Sequence, residues 1–227
     1  MGDVAAEALA VSAFKGDAAA LAQLQGLANR GDATAQDWLG AYRQRLHDMP
    51  RAVFWYEKSA RQGNATAQNN LGTLYANGVG VAKDQSRAAY WYQRAAEQGI
   101  ATAQNNLGIL YHEGQGVVRN DLIAADWLSK AANQGYAPAQ YNLSEMYAQG
   151  EGRPRNMVAA YALYLLATTA KPSRRTHREV SPTPGRVPGM TASQVRAAQT
   201  LERRMRADGI LRTLATEGTA AGAAKDR

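Results

Sequence analysis

Residues 65–81 read ATAQNNLGTLYANGVGV, and residues 101–117 read ATAQNNLGILYHEGQGV. The second stretch is the first displaced by 36 residues, with four substitutions. The displacement continues, because Gln140 follows Gln104 by the same 36 residues that separate Gln104 from Gln68. Self-similarity at a fixed period marks an array of supersecondary units, each of which buries its apolar face only against a neighbour.

Aligned at this period, Leu71, Leu107 and Leu143 coincide, as do Leu74, Leu110 and Met146, and Tyr75, Tyr111 and Tyr147. Spacings of three and four place each such set on one face of a helix, here helix A. Gly72 and Gly108 fall in mid-helix and are followed by Ser144 at the corresponding position. A glycine there costs about 1 kcal/mol against alanine, so its recurrence predicts close approach by a neighbouring helix. The second half of each unit has its own helical period: Ala88, Trp91, Tyr92, Ala95 and Ala96 recur as Ala124, Trp127, Leu128, Ala131 and Ala132, then as Ala160, Leu163, Tyr164, Ala167 and Thr168. This is helix B. Paired glycines at Gly78 and Gly80, Gly114 and Gly116, and Gly150 and Gly152 end helix A through positive φ. Asp84, Asn120 and Asn156 then stand where helix B needs an N-cap, and Gly99 and Gly135 close it.

A related unit lies upstream. Gln36, Trp38, Leu39 and Gly40 align with helix A, and Trp55 and Tyr56 with helix B, but the turn between them, over residues 43–50, is four residues shorter. Before it, GDAAALAQLQGLANRG reads as a further helix closed by Gly31, preceded by a short helix from about Ala5.

The pattern A-x-A-Q-N-N-L-G-x-L-Y-x-x-G-x-G-V, followed by a capped A-x-x-W-Y-x-x-A-A helix and a closing Q-G, resembles the Sel1-like repeats, close relatives of tetratricopeptide repeats. The resemblance covers residues 32–171 and implies an all-α, right-handed superhelical solenoid of about four helix–turn–helix repeats with capping helices at both ends. The expected divisions are an N-terminal cap over 1–31 and repeats over 32–63, 64–99, 100–135 and 136–170. A basic Pro-rich linker over 171–190, a capping helix over 191–212 and a flexible tail over 213–227 follow. The fourth repeat departs from the pattern at Ser144 and loses the tryptophan, as a terminal repeat should. The helix beginning Met190-Thr191 resembles the one that closes bacterial arrays of this kind, with Val195, Ala198, Leu201 and Met205 on one stripe.

Composition narrows the chemistry. The 227 residues contain no cysteine, which excludes disulfides, thiolate metal sites and a cysteine nucleophile. No run of about 18 or more apolar residues occurs, so no helical membrane span is expected. Asp3 and Glu7 stand where a signal peptide carries positive charge. The compartment stays open: cytoplasmic as written, periplasmic for a mature chain freed of a leader. Acidic and basic residues cancel through residue 170, and the formal charge of +7 is carried by residues 171–212. His47, His112 and His177 are far apart with no second ligand at helical spacing, and the GVG and GQG turns lack the strand before and the G-K-[ST] after that a phosphate loop requires. No catalytic constellation, metal site or cofactor site is expected.

The resemblance also implies where a partner would sit. In this family helix A lines the concave face, and by analogy with tetratricopeptide repeats the ligand-facing positions lie two before and two after the buried leucine. These are Asp37, Asn69, Asn105 and Tyr141, then Ala41, Thr73, Ile109 and Glu145, with His112 one turn further on. They vary between copies whose scaffold does not. A protein or peptide partner is therefore expected in a groove lined by helix A, the chain acting as an adaptor or scaffold. A dedicated neutralising role, such as an immunity protein against a secreted toxin, is the alternative that the resemblance allows. A third reading is an anionic surface bound by Arg174, Arg175, Arg178, Arg203, Arg204 and Arg206. Nucleic acid is the weaker branch of that reading, since the segment has no aromatic residue to stack on bases.

Overall fold

The chain is described from a computed structural model, over residues 2–169 and 190–223, and every element in those residues is an α-helix. Two compact units divide it, residues 1–118 and residues 119–227.

The first unit holds α1 (Gly2–Phe14), α2 (Ala18–Asn29), α3 (Ala33–Arg45), α4 (Met49–Arg61), α5 (Ala65–Asn77), α6 (Gln85–Glu97) and α7 (Ala101–Glu113). Successive helices pack pairwise, α3 on α4, α4 on α5, α5 on α6 and α6 on α7. The short helices α1 and α2 close one end. Ala6 and Ala10 of α1 and Leu24 and Ala28 of α2 join Ala35, Leu39 and Trp55 in one buried cluster, and the Phe14 ring meets Trp38 and Tyr42 edge-on. The second unit holds α8 (Asp121–Asn133), α9 (Ala137–Gln149), α10 (Met157–Thr169), α11 (Ala192–Asp208) and α12 (Ile210–Ala223). Here α9 packs on both α8 and α10, α11 covers α10, and α12 returns to α8.

The capping chemistry follows the sequence. Asp84 accepts the amide of Arg87, Asn120 those of Leu122 and Ile123, and Asn156 that of Ala159. Each satisfies donors that the first helical turn leaves orphaned. At the other end of helix A, Gly78, Gly114 and Gly150 take left-handed φ of 70°, 68° and 80°. The shorter turn of the first repeat finds another solution, since His47 itself takes a positive φ of 58°.

The second glycine of each pair does something the sequence did not reveal. A Cβ on Gly80 would stand 3.0 Å from the carbonyl oxygen of Met49, at the start of α4. A Cβ on Gly116 would collide with the Gln85 backbone at the start of α6, and one on Gly152 with the Asp121 carbonyl at the start of α8. The loop of one repeat thus rests backbone-to-backbone on the beginning of helix B of the repeat before it.

Inside the first two hairpins a second close approach explains the mid-helix glycine. The Tyr56 ring lies over Gly40 and the Tyr92 ring over Gly72, so near that a Cβ would sit 2.6 Å and 2.7 Å from ring carbons. Both rings are buried, and each hydroxyl crosses helix A to donate, Tyr56 to Gln44 Oε1 at 2.9 Å and Tyr92 to Thr73 Oγ1 at 3.1 Å. Not every helix-B aromatic is core, however. Trp91 and Trp127 are half-buried, and Tyr90 is exposed.

At the C-terminus the helix expected over 191–212 is two helices. Thr191 and Gln194 form a capping box that starts α11, Gly209 interrupts it with φ 86°, and α12 continues through residues expected to fray from 213. Buried Ile210 and Thr213 supply the reason, because they give α12 an inward face. The linker, with Arg174, Arg175 and Arg178, lies outside the described residues.

Gly72→Ala tests the slot. Helix propensity alone would gain about 1 kcal/mol, but the methyl group displaces Tyr92 from a packed position. The expected result is a net loss of roughly 1–2 kcal/mol, read as a lower midpoint in thermal or urea unfolding.

Candidate functional site

The register of helix A is set by a buried glutamine. Gln36, Gln68, Gln104 and Gln140 donate Nε2 to the carbonyls of Ala28, Ala60, Ala96 and Ala132 at 3.0, 3.1, 3.0 and 3.2 Å. Each carbonyl belongs to the last turn of the preceding helix and also accepts a backbone amide, that of Gly31, Gly63, Gly99 or Gly135, so the glutamine fills its second acceptor position. In the first unit, Gln62 and Gln98 close the pattern by donating to Gln36 Oε1 at 2.7 Å and Gln68 Oε1 at 2.8 Å. With the glutamine inward, the residue after it lies about 100° further round helix A.

On that side the first unit carries a belt of neutral polar groups. Thr102 of α7 donates to Asn69 Oδ1 of α5 at 3.4 Å, Thr73 donates to the Asn69 carbonyl at 3.1 Å, and Asn105 donates to Asn106 Oδ1 at 3.3 Å. Asn70 hydrogen-bonds Asp37. Asn69, Thr73, Ile109 and His112 are half-buried and present part of their surface.

Two of the expected partner contacts are corrected. Asp37 is only 9 % exposed and Asn105 only 4 %. Short polar side chains at this register fold into their surroundings, Asp37 against α4 and α5 and Asn105 against its neighbour Asn106, instead of projecting. The belt also includes Asn70 and Asn106, which sequence reasoning passed over although the doublet N-N recurs in both copies.

Asp37 has a further property. Burial pushes its carboxyl up to about 6, with the Asn70 hydrogen bond working in the opposite direction. Its Oδ1 has no hydrogen-bond partner among the described residues. Burial, together with the Asp37 charge, also raises the Tyr56 phenol.

In the second unit, Tyr141 is half-buried and Glu145 exposed on α9. Tyr141 meets the Tyr164 ring of α10 at 6.5 Å. The basic residues of α11 are exposed, and two of them have partners: Arg206 pairs with Glu202 and also reaches Thr169, while Arg204 donates to Thr216 at 3.3 Å. Among the described residues no helix is long and apolar enough to cross a membrane.

The model of the Sel1 repeat matches residues 33–64, 65–100, 101–136 and 137–171, more than half of the chain. The chain belongs to the Sel1-repeat family. Among solved structures it is similar to a protective antigen present in uropathogenic Escherichia coli strains that displays an SLR fold, at 38 % identity and a TM-score of 0.62. That match covers 65 % of this chain and 32 % of the antigen, so the chain spans about a third of that protein's length. It is also similar to a Sel1 repeat protein from Oxalobacter formigenes, at 31 % identity and a TM-score of 0.62, over 70 % of this chain and 68 % of that one. Curated proteins give no match. Sel1 repeats are generally protein-interaction scaffolds, and residues 33–171 of this chain consist of four of them.

The Asp37 carboxyl yields a stability test with a defined sign. Its folded pKa lies above the ordinary 3.8, so the folded state holds the extra proton between about pH 4 and 6, and stability falls as pH rises through that window. Above the window the buried charge is a standing penalty. Asp37→Asn is expected to raise unfolding free energy by about 1–3 kcal/mol at pH 7.5. The difference should vanish below about pH 4, as read by urea titrations at both pH values.

Proposed function

We propose that this Sel1-repeat chain binds a partner protein along the outward faces of helix A: α3, α5 and α7 in the first unit and α9 in the second. The observation that carries the reading is a contrast within one chain. Positions that bury glutamine, leucine and glycine repeat almost unchanged, while the positions two after the leucine change in every copy, from Ala41 to Thr73, Ile109 and Glu145, and half-buried Asn69 gives way to Tyr141 in the fourth repeat. A scaffold needs its inward residues to be alike and a recognition surface needs its outward ones to differ.

The groups available suit a polypeptide. Amide side chains both donate and accept, and so match the alternating groups of a peptide backbone. Tyr141 adds an amphipathic ring of the type that anchors interfaces. No lysine or arginine occurs among the outward positions named, so a clamp for a phosphate or a terminal carboxylate is not what this surface offers. The arginines of α11 give the anionic-surface reading less support, since Arg206 is already paired with Glu202.

The test is a comparative capture. The full chain and a variant with Asn69, Ile109 and Tyr141 all replaced by alanine are immobilised and exposed to lysate from the native cell, with washing at about 0.5 M salt, where exposed charge pairs are screened. The expected outcome is a protein retained by the wild type and lost by the variant, with both chains unfolding at the same temperature. Equal retention by the two would overturn the reading.

A further inference from the structure

The fourth repeat breaks the internal pattern at a buried position. In the first two repeats the helix-B tyrosine is stored over a helix-A glycine, leaving Tyr56 at 1 % and Tyr92 at 4 % exposure. Ser144 stands where that glycine would be and is itself buried. A serine side chain fills the space that the ring needs, since even a bare Cβ at Gly40 or Gly72 would sit 2.6 or 2.7 Å from ring carbons. Tyr164, which aligns with Tyr56 and Tyr92, is correspondingly half-buried. Its ring lies 6.1 Å from Tyr161 at an interplanar angle of 17° and 6.5 Å from Tyr141 at 53°.

We propose that Tyr141, Tyr161 and Tyr164, together with Glu145, form a binding site for an arginine side chain of the partner, created by the exchange of glycine for Ser144. The proposal rests on the reading that the partner docks on helix A, and it assigns the chemistry recognised there.

Charge complementarity selects the occupant. Glu145 is the one charged residue on α9, and α10 has none. Glu145 is exposed and makes no ion pair among the described residues. Tyrosine faces carry negative quadrupole potential and attract cations, the attraction strengthening as water is displaced. A carboxylate one helical turn from Tyr141 adds to the same field. Among cations, guanidinium fits best: it is planar and stacks on rings, forks onto a carboxylate through two parallel N–H groups, and gives up hydration more readily than ammonium.

The experiment uses the full chain with ring-labelled tyrosine and three probes: N-acetyl-arginine amide, its lysine counterpart and its uncharged citrulline counterpart. The aromatic NMR signals of Tyr141, Tyr161 and Tyr164 are followed through each titration. Arginine is expected to shift all three saturably, with binding roughly 5-fold or more weaker for citrulline and for the Glu145→Gln chain. Ser144→Gly is expected to reopen the slot, move the Tyr164 signal into a buried position and abolish the arginine response without lowering the unfolding temperature. Signals unmoved by arginine, or moved equally by citrulline, would overturn the site, and tighter binding of lysine would overturn the choice of guanidinium. The two readings separate cleanly. Arginine shifts with partner capture indifferent to Tyr141 would leave the site standing and remove helix-A docking, while capture dependent on Tyr141 with no arginine response would do the reverse.

Discussion

A helix that ends inside a protein leaves carbonyls without donors, and a repeat array meets that problem at every junction. Here two donors meet at one last-turn carbonyl, four times along the chain: the amide of the glycine that closes the helix, and the side chain of the glutamine in the first turn of the following helix A. A buried amide left unpaired costs on the order of 1–3 kcal/mol, so both partners have to be present for the junction to close. In the first unit a second glutamine, just past the end of helix B, satisfies the remaining oxygen of Gln36 and of Gln68. The fixed position of these pairs sets the angular register of helix A, and with it the identity of the residues that face outward.

Close approach is the companion constraint. Two kinds of glycine serve it. One lies under a tyrosine ring within the hairpin, and the other lets a loop lie on the start of the preceding helix B. Both are demands for absent atoms. The tyrosine over its glycine also links scaffold to surface, because its hydroxyl emerges beside Gln44 or Thr73 on the outward side. A change at the buried glycine is therefore felt at those outward side chains, which is the consequence drawn for Ser144.

At Asp37 the fold carries a cost that burial creates. A carboxylate held up near 6 by burial, with one oxygen lacking a partner, weakens the fold at neutral pH. The corresponding positions in later repeats carry neutral asparagine or tyrosine. Such departures from local consistency concentrate where a protein does something other than fold, and this one adjoins the asparagine belt of the first unit.

The sequence by itself determined the period, the helix pairs, the caps, the glycine-bounded turns and the family, because each of these depends on spacing along the chain: three and four residues for a helical face, one residue for a cap, 36 for the stack. The resemblance to tetratricopeptide repeats, which the sequence carries, nominated the partner-facing positions. It could not say how deep those positions lie. Depth depends on what the neighbouring helix brings, so Asp37 and Asn105 became interior once the Asn70 and Asn106 side chains met them. Nor could spacing disclose that Gly116 rests on Gln85, that Ile210 and Thr213 give the C-terminal residues an inward face, or that Tyr164 joins two other tyrosines. Those are contacts between residues that no local rule connects, and the tertiary structure decided them because two groups cannot occupy one volume.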